Sequence, residues 1–469
     1  MKRNILIVFS ANVFNMLFSL ITNFFLPKYL SIESYGYYKT FQLYVNYVGI
    51  THLGYADGVY LKYGGKQISD IDTREILATT SSIRSMQLIF TVILTIVASF
   101  CDNNVAILLA ISCFPINMVS YFKNLFQATG KFKNYGLIVC LLPLLAFLAN
   151  LFLVYIIRTD SCLFYIGVTV ITNFIVYIFL EVNFWRLFRG NYFSLKLYWE
   201  IILANIIMGF PLMIGNLISL LITSIDRWFI QVVMEISFFS YYSFAVSVEN
   251  LFNVCTSAVT TTLYNYLCKN KSKERIIRIK SFCIIIAAYL VSVAFPVKAI
   301  INIWLDKYIP SIPCLFLLIC AHMFYFVIKA IYVNLYKANA KQKYYFQQMI
   351  IVLIIAMISN IFFYYLYKKS IYSVALATFI TAFIWYHMCF FKFKELRGDA
   401  REIIQLFLCV FIYLFCGLKI ESAVIGCSLY LVMITLFIYL LNKDIFVDFL
   451  RGIRNFVLLN IGGNVSDKN

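Results

Sequence analysis

Charge is what this sequence lacks. Only 13% of its 469 residues are charged, against 62% hydrophobic. No water-soluble domain of this length covers its surface with so few charges. Acids are scarcer still, 21 Asp and Glu against 39 Lys and Arg. The basic excess is dispersed over many short loops, so no continuous basic face exists for nucleic acid. Histidine is nearly absent: His52, His322 and His387 stand alone, without metal-ligand spacing. Thirteen cysteines are scattered through apolar segments without a C-x-x-C pair, which reads as small residues in helix packing. No Gly-rich phosphate loop, G-x-S-x-G elbow or comparable catalytic pattern occurs. Alternating ten-residue strands are missing too, which excludes a membrane β-barrel.

Long apolar runs are what remain. A spanning helix needs roughly 20 apolar residues. Fourteen segments meet that need: 4–26, 37–61, 78–100, 104–123, 136–157, 162–184, 199–223, 238–264, 281–303, 311–335, 346–367, 371–391, 402–418 and 422–441. The second and third carry polar residues along their length. Lipid forces each segment to satisfy its own backbone, so the expected fold is an all-α integral membrane protein. Placing the N-terminus in the cytoplasm leaves the outer loops only Lys28, Lys39, Arg158, Lys307, Lys368, Lys369 and Lys419. That asymmetry predicts that both ends are cytoplasmic, with the inner loops against anionic lipid head groups.

The chain also repeats itself. Residues 124–135, NLFQATGKFKNY, match 334–345, NLYKANAKQKYY, at six of twelve positions, sharing a K-x-K-x-Y loop. A second alignment, Asn12 to Asn46 against Asn216 to Asn250, runs at an offset of 204 instead of 210. Spans one to six therefore correspond to spans seven to twelve. Six is even, so both copies enter the membrane in the same direction, related by a pseudo-two-fold axis along the membrane normal. The expected organisation is a six-helix lobe over 1–197, a second over 198–396, and two extra helices over 397–442. A basic amphipathic tail over 443–469 is expected on the inner membrane surface.

Polar residues inside spans are costly and so informative. Span one carries Asn12, Asn15, Ser19 and Asn23 on one face; span seven has Asn216, Ser219, Thr223 and Arg227 at the equivalent positions. Span two carries Lys39, Gln42, Asn46 and Asp57, and span eight Ser243, Ser247 and Asn250. Four related stripes favour a wet cavity between lobes over interhelical hydrogen bonding in a dry bundle. Arg84 and Arg227 are the candidates for binding phosphate oxygens, because guanidinium forks suit them. Glu249 lies deep in span eight and is the leading candidate for coupling to a proton or cation, with Asp57 and Asp226. Lys298 and Lys329 are expected to snorkel to the nearest interface.

Leu26-Pro-Lys-Tyr-Leu-Ser-Ile-Glu-Ser-Tyr-Gly-Tyr-Tyr resembles the first-loop signature of bacterial polysaccharide flippases. Phe210-Pro-Leu, Ser224-Ile-Asp226-Arg227-Trp and Tyr241-Tyr-Ser-Phe-Ala245 resemble their seventh and eighth helices, and Gly130-Lys-Phe-Lys133 recurs among them. These are the O-antigen and capsule (Wzx-type) members of the multidrug/oligosaccharidyl-lipid/polysaccharide exporter superfamily. The resemblance covers the whole chain through loose motifs, and Lys28 stands where the family often has Arg. It implies a transporter, not an enzyme, with no cofactor, in the bacterial cytoplasmic membrane. The implied cargo is a polyprenyl-diphosphate-linked oligosaccharide, with polysaccharide assembly proteins as partners. A cation-coupled drug exporter of the same superfamily shares the architecture but favours acids in its cavity. A membrane polymerase or glycosyltransferase generally has acidic residues in an outer loop or a large outer domain, whereas the outer loops here are only a few residues long.

Overall fold

The apolar runs fold as helices, as backbone in hydrocarbon requires. A computed structural model describes residues 2–188, 194–269, 272–339, 341–367, 370–397 and 400–451, and among these no strand forms. The helices are α1 (Lys2–Tyr29), α2 (Ile32–Val45), α3 (Tyr55–Tyr63), α4 (Thr73–Ser99), α5 (Asn104–Ala128) and α6 (Phe132–Phe152). There follow α7 (Cys162–Leu187), α8 (Trp199–Ile222), α9 (Ile225–Val233), α10 (Ile236–Lys269), α11 (Lys273–Leu290) and α12 (Ala294–Trp304). The last are α13 (Ile312–Val327), α14 (Asn334–Ala338), α15 (Gln342–Leu366), α16 (Ile371–Lys392), α17 (Ala400–Lys419) and α18 (Ala423–Leu441). Among the described residues, twelve spans are long and apolar enough to cross a membrane. The chain is a multi-pass membrane protein.

The predicted spans two and eight are the ones outside those twelve. Span two is broken: α2 ends at Val45, a 3₁₀ turn covers Val48–His52, and Leu53 and Gly54 take left-handed backbone at φ 52° and 84° before α3. Span eight is continuous within α10, whose 34 residues would extend about 51 Å, well beyond a hydrocarbon core of about 30 Å.

The described chain divides into two compact units, Met1–Arg227 with Gln231–Ser243, and Trp228–Ile230 with Phe244–Asn469. In the first, α1 packs on α6, α4 on α5, and α3 on both α5 and α8. The α3–α8 crossing is unusually close. A Cβ on Gly58 would lie 1.9 Å from the Asn205 carbonyl oxygen, and one on Gly209 would lie 2.0 Å from that of Gly54. Gly54-x-x-x-Gly58 thus lets two backbones touch, as small-residue motifs do between membrane helices.

The polar residues of span three hold the chain segment before α8. The Ser81 hydroxyl lies 2.9 Å from the Lys196 carbonyl and accepts the Lys196 N–H at 2.8 Å, while Ser82 accepts the Tyr198 N–H at 3.2 Å. Thr80 and Tyr121 hydroxyls meet at 2.7 Å, tying α4 to α5.

In the second unit, α17 and α18 are built into the packing. The Lys298 ammonium donates to the carbonyls of Gly417 at 2.8 Å and Ile420 at 2.6 Å, at the end of α17. Instead of snorkelling, Lys298 caps a helix C-terminus, where its charge also favours the dipole. Lys280, fully buried, pairs with Glu402 at 2.9 Å and donates to the Leu396 carbonyl at 2.6 Å. The predicted tail begins as a helix over 443–451, with Phe446 buried against Tyr439. Ile453, Arg454, Phe456 and Val457, on which its amphipathic pattern also rests, lie outside the described residues.

Two turns carry the repeat in their hydrogen bonds. In the first unit Thr129 N–H donates to Leu125 O at 3.0 Å, and Lys131 N–H to Phe126 O at 2.8 Å. In the second, Asn339 N–H donates to Leu335 O at 3.0 Å, and Lys341 N–H to Tyr336 O at 2.8 Å. Each pair is 210 residues apart, the offset of the NL-x-x-A-x-x-K-x-K motif.

Candidate substrate and coupling sites

The stripe on α1 stays open. Asn12 and Ser19 are exposed and Asn15 half-buried, with hydrogen bonds that remain on the helix: Asn12 to the Val8 carbonyl at 2.9 Å and Ser19 to Asn15 at 3.3 Å. On α8, Asn216, Ser219 and Thr223 are likewise exposed, and Thr223 bonds only its own helix. Among the described residues these side chains join no second helix, so they do not serve as interhelical glue. Asn46 is exposed just beyond α2. The α10 stripe is mixed: Ser243 and Ser247 are buried, while Asn250 is exposed and accepts from Asn253 at 3.3 Å.

The first unit carries two cations, one on α2 and one at the start of α9, two helices joined by the Thr40 hydroxyl, which donates to Gln231 at 2.9 Å. The buried Lys39 ammonium donates to Asn23 at 2.9 Å and Gln42 at 3.2 Å, and Gln42 in turn donates to the Tyr38 hydroxyl at 2.7 Å. The second cation is Arg227 of α9. Its guanidinium donates to the Thr223 carbonyl at 3.2 Å and leaves Nε without a partner. Among the described residues, no carboxylate comes within ion-pairing distance of either cation. The neighbouring acid is committed elsewhere: Asp226 accepts the Arg227 backbone N–H at 2.7 Å and the Tyr242 hydroxyl at 2.5 Å. Of the two cations Lys39 is buried and Arg227 half-buried, and a guanidinium fork of this kind suits phosphate oxygens.

Arg84 differs from these two cations. It is 3% exposed, ion-paired with Glu181 of α7, and donates to the Ser194 carbonyl at 2.7 Å. Glu181 went unnoticed in the sequence because it falls close to the end of span six, among residues that read as a boundary. Asp57, half-buried on α3, makes no hydrogen bond or ion pair among the described residues.

The second unit gathers a separate cluster. Glu249 of α10 lies 2.9 Å from His322 Nε2 of α13, and Nδ1 of that 2%-exposed imidazole has no partner. The ring is flanked by Phe252 and Tyr325 at centroid distances of 5.7 and 5.8 Å. Lys329 donates to Asn253 at 2.9 Å, and the charge of Glu249 acts on it. Lys329 sits on a π-turn, Ile328–Val333, that follows α13, and such bulges often mark functional sites. A carboxylate, an imidazole and an ammonium, held by two membrane helices, can store and pass a proton.

The fold is similar to that of solved transporters. A lipid II flippase, MurJ, in an inward closed conformation is 15% identical, covers 95% of this chain and 100% of its own, and superposes with a TM-score of 0.68. A multidrug resistance MATE family transporter of the MOP superfamily, in an inward-facing conformation, is 14% identical over 84% of this chain and 99% of its own, with a TM-score of 0.53. The chain has the fold of these transporters. No protein-family profile and no curated protein sequence matches it.

Proposed function

We propose that this protein is a flippase that moves polyprenyl-diphosphate-linked oligosaccharide repeat units from the inner to the outer leaflet of the bacterial cytoplasmic membrane. The observation that carries this reading is that, among the described residues, neither Lys39 nor Arg227 has a carboxylate within ion-pairing distance. A diphosphate supplies the missing negative charge, and the open stripes of Asn12, Asn15, Asn216 and Asn250 give a sugar head group hydrogen-bonding partners that hydrocarbon lacks. The lipid tail can stay in the bilayer. The fold likeness to a lipid II flippase supports a lipid-linked cargo. The transport cycle is alternating access by rocking of two six-helix lobes, 1–197 and 198–396, with both termini in the cytoplasm. The cargo's polymer belongs to cell-surface polysaccharide, so assembly proteins are its natural partners.

The test is deletion of the gene in its host, with lipid-linked oligosaccharides quantified by mass spectrometry and leaflet exposure assayed on intact cells. Complete repeat units trapped inside, and released by restoring the gene, are the expected result. Arg227→Gln should restore release poorly, with cargo affinity reduced about 10-fold to 100-fold, the loss of one or two charge-assisted hydrogen bonds. An unchanged lipid-linked pool assigns the protein to drug or ion export. Unpolymerised units already exposed outside assign it to an enzyme.

Glu249 with His322 is the coupling site in this proposal. In proteoliposomes under an imposed pH or sodium gradient, Glu249→Gln is expected to slow gradient-driven transport about tenfold or more. Transport that keeps its full response to both gradients places coupling elsewhere, with Asp57 the next candidate.

A further inference from the structure

The K-x-K-x-Y turn of the second unit lies where five helices end. The C-termini of α10, α14 and α16 and the N-termini of α11 and α15 surround a cleft of about 640 Å³. Its rim is cationic, with Lys273, Lys341, Lys392 and Lys394. The acid in its lining, Glu395, meets Lys273 at 2.7 Å, but both side chains are more than 60% exposed, so that pair holds little, and among the described residues the other three lysines make no ion pair. Its floor is aromatic: Tyr336 is buried against Phe393 at 5.0 Å and Tyr345 at 5.9 Å. Lys392 lies over the Tyr344 ring at 5.4 Å. The Lys341 N–H bond to Tyr336 O fixes the turn that delivers Lys341 to the rim.

From this rim an apolar surface continues along α15. Phe346, Ile350, Ile354, Met357, Ile358 and Ile361 are exposed, on the face that a lipid tail would cover. A soluble phosphate compound would use the lysines and leave that face idle. A phospholipid uses both.

We propose that this cleft binds the headgroup of an acidic phospholipid, with its acyl chains along α15. The lysines neutralise the phosphate, and Tyr344 sits at the level where aromatic rings anchor to the membrane surface. The site is separate from the Lys39–Arg227 pair and does not depend on which cargo is moved.

The experiment is native mass spectrometry of the full chain in detergent with phosphatidylglycerol or phosphatidylcholine, and with inorganic phosphate as competitor. Wild type is expected to retain phosphatidylglycerol about tenfold more tightly than phosphatidylcholine, and Lys341→Gln/Lys392→Gln/Lys394→Gln to lose that preference. The three lysines are exposed, so the variant keeps its fold, and the corresponding triple Arg variant should keep the lipid. Equal retention of phosphatidylglycerol by wild type and the Gln variant overturns the proposal. So does its displacement by inorganic phosphate, which would assign the cleft to a soluble anion.

Discussion

Gly58→Ala is expected to cost this protein about 3 kcal/mol or more of stability, beyond the usual range for an overpacked contact. The Cβ would stand 1.9 Å from the Asn205 carbonyl oxygen and 2.8 Å from the Asn205 carbonyl carbon. Both are backbone atoms, so no rotamer change relieves the clash and α3 must move away from α8. Retreat is hard, because α3 also packs on α5 and is tied to α4, with Tyr55 fully buried and bonded to the Thr79 carbonyl at 2.8 Å. Gly209→Ala meets the same obstacle from α8, 2.0 Å from Gly54 O and 2.2 Å from Gly58 N. Gly167→Ala is the control. It lies within α7 with nothing within 4 Å of the added carbon, and should be neutral or stabilising by about 0.5–1 kcal/mol. Thermal unfolding of the purified variants in one detergent makes the comparison. Equal midpoints for the Gly58 and Gly167 variants would mean that the helices do not cross so closely.

That crossing shows how far the sequence could be read. Apolar run length located the spans because the bilayer imposes the same demand on every one of them. The 210-residue repeat was legible for a related reason: a turn between helix ends needs particular residues, and the same residues rebuilt the same hydrogen bonds at Lys131 and Lys341. The break in span two was not legible. Polar residues at Lys39, Gln42 and Asp57 marked the segment, but the left-handed pair Leu53–Gly54 is a local backbone choice with no periodic signal. Pairings across the fold were hidden as well. His322 read as an isolated packing residue because nothing in the order of the chain places α13 beside Glu249. Lys39 and Arg227 read as separate stripes, since each was judged along its own helix. Charge type could be listed from the sequence, but whether a charge is answered is a property of the fold.

Arg84 turns that distinction into an experiment. Arg84→Ala is expected to destabilise the protein by about 3–5 kcal/mol, because it strands the Glu181 carboxylate among α4 and α7. It also removes the bond to the Ser194 carbonyl, which helps seat the segment before α8, although Ser81 and Ser82 still hold Lys196 and Tyr198. Replacing both partners by apolar residues, Arg84→Met with Glu181→Leu, should recover most of the loss, since a buried pair repays little more than its own desolvation. Glu181→Gln should fall between, because Arg84 keeps Ser194 and a neutral amide still accepts a hydrogen bond. A double-mutant cycle on unfolding midpoints measures the coupling between the two. The role that the sequence implied for Arg84, attraction of an anionic head group, predicts a different pattern. There, Arg84→Ala would unfold like wild type yet lose cargo release, and the double apolar variant would fare no better. Recovery of both stability and release in that double variant would instead make Arg84 a strut of the first unit, leaving anion binding to Lys39 and Arg227.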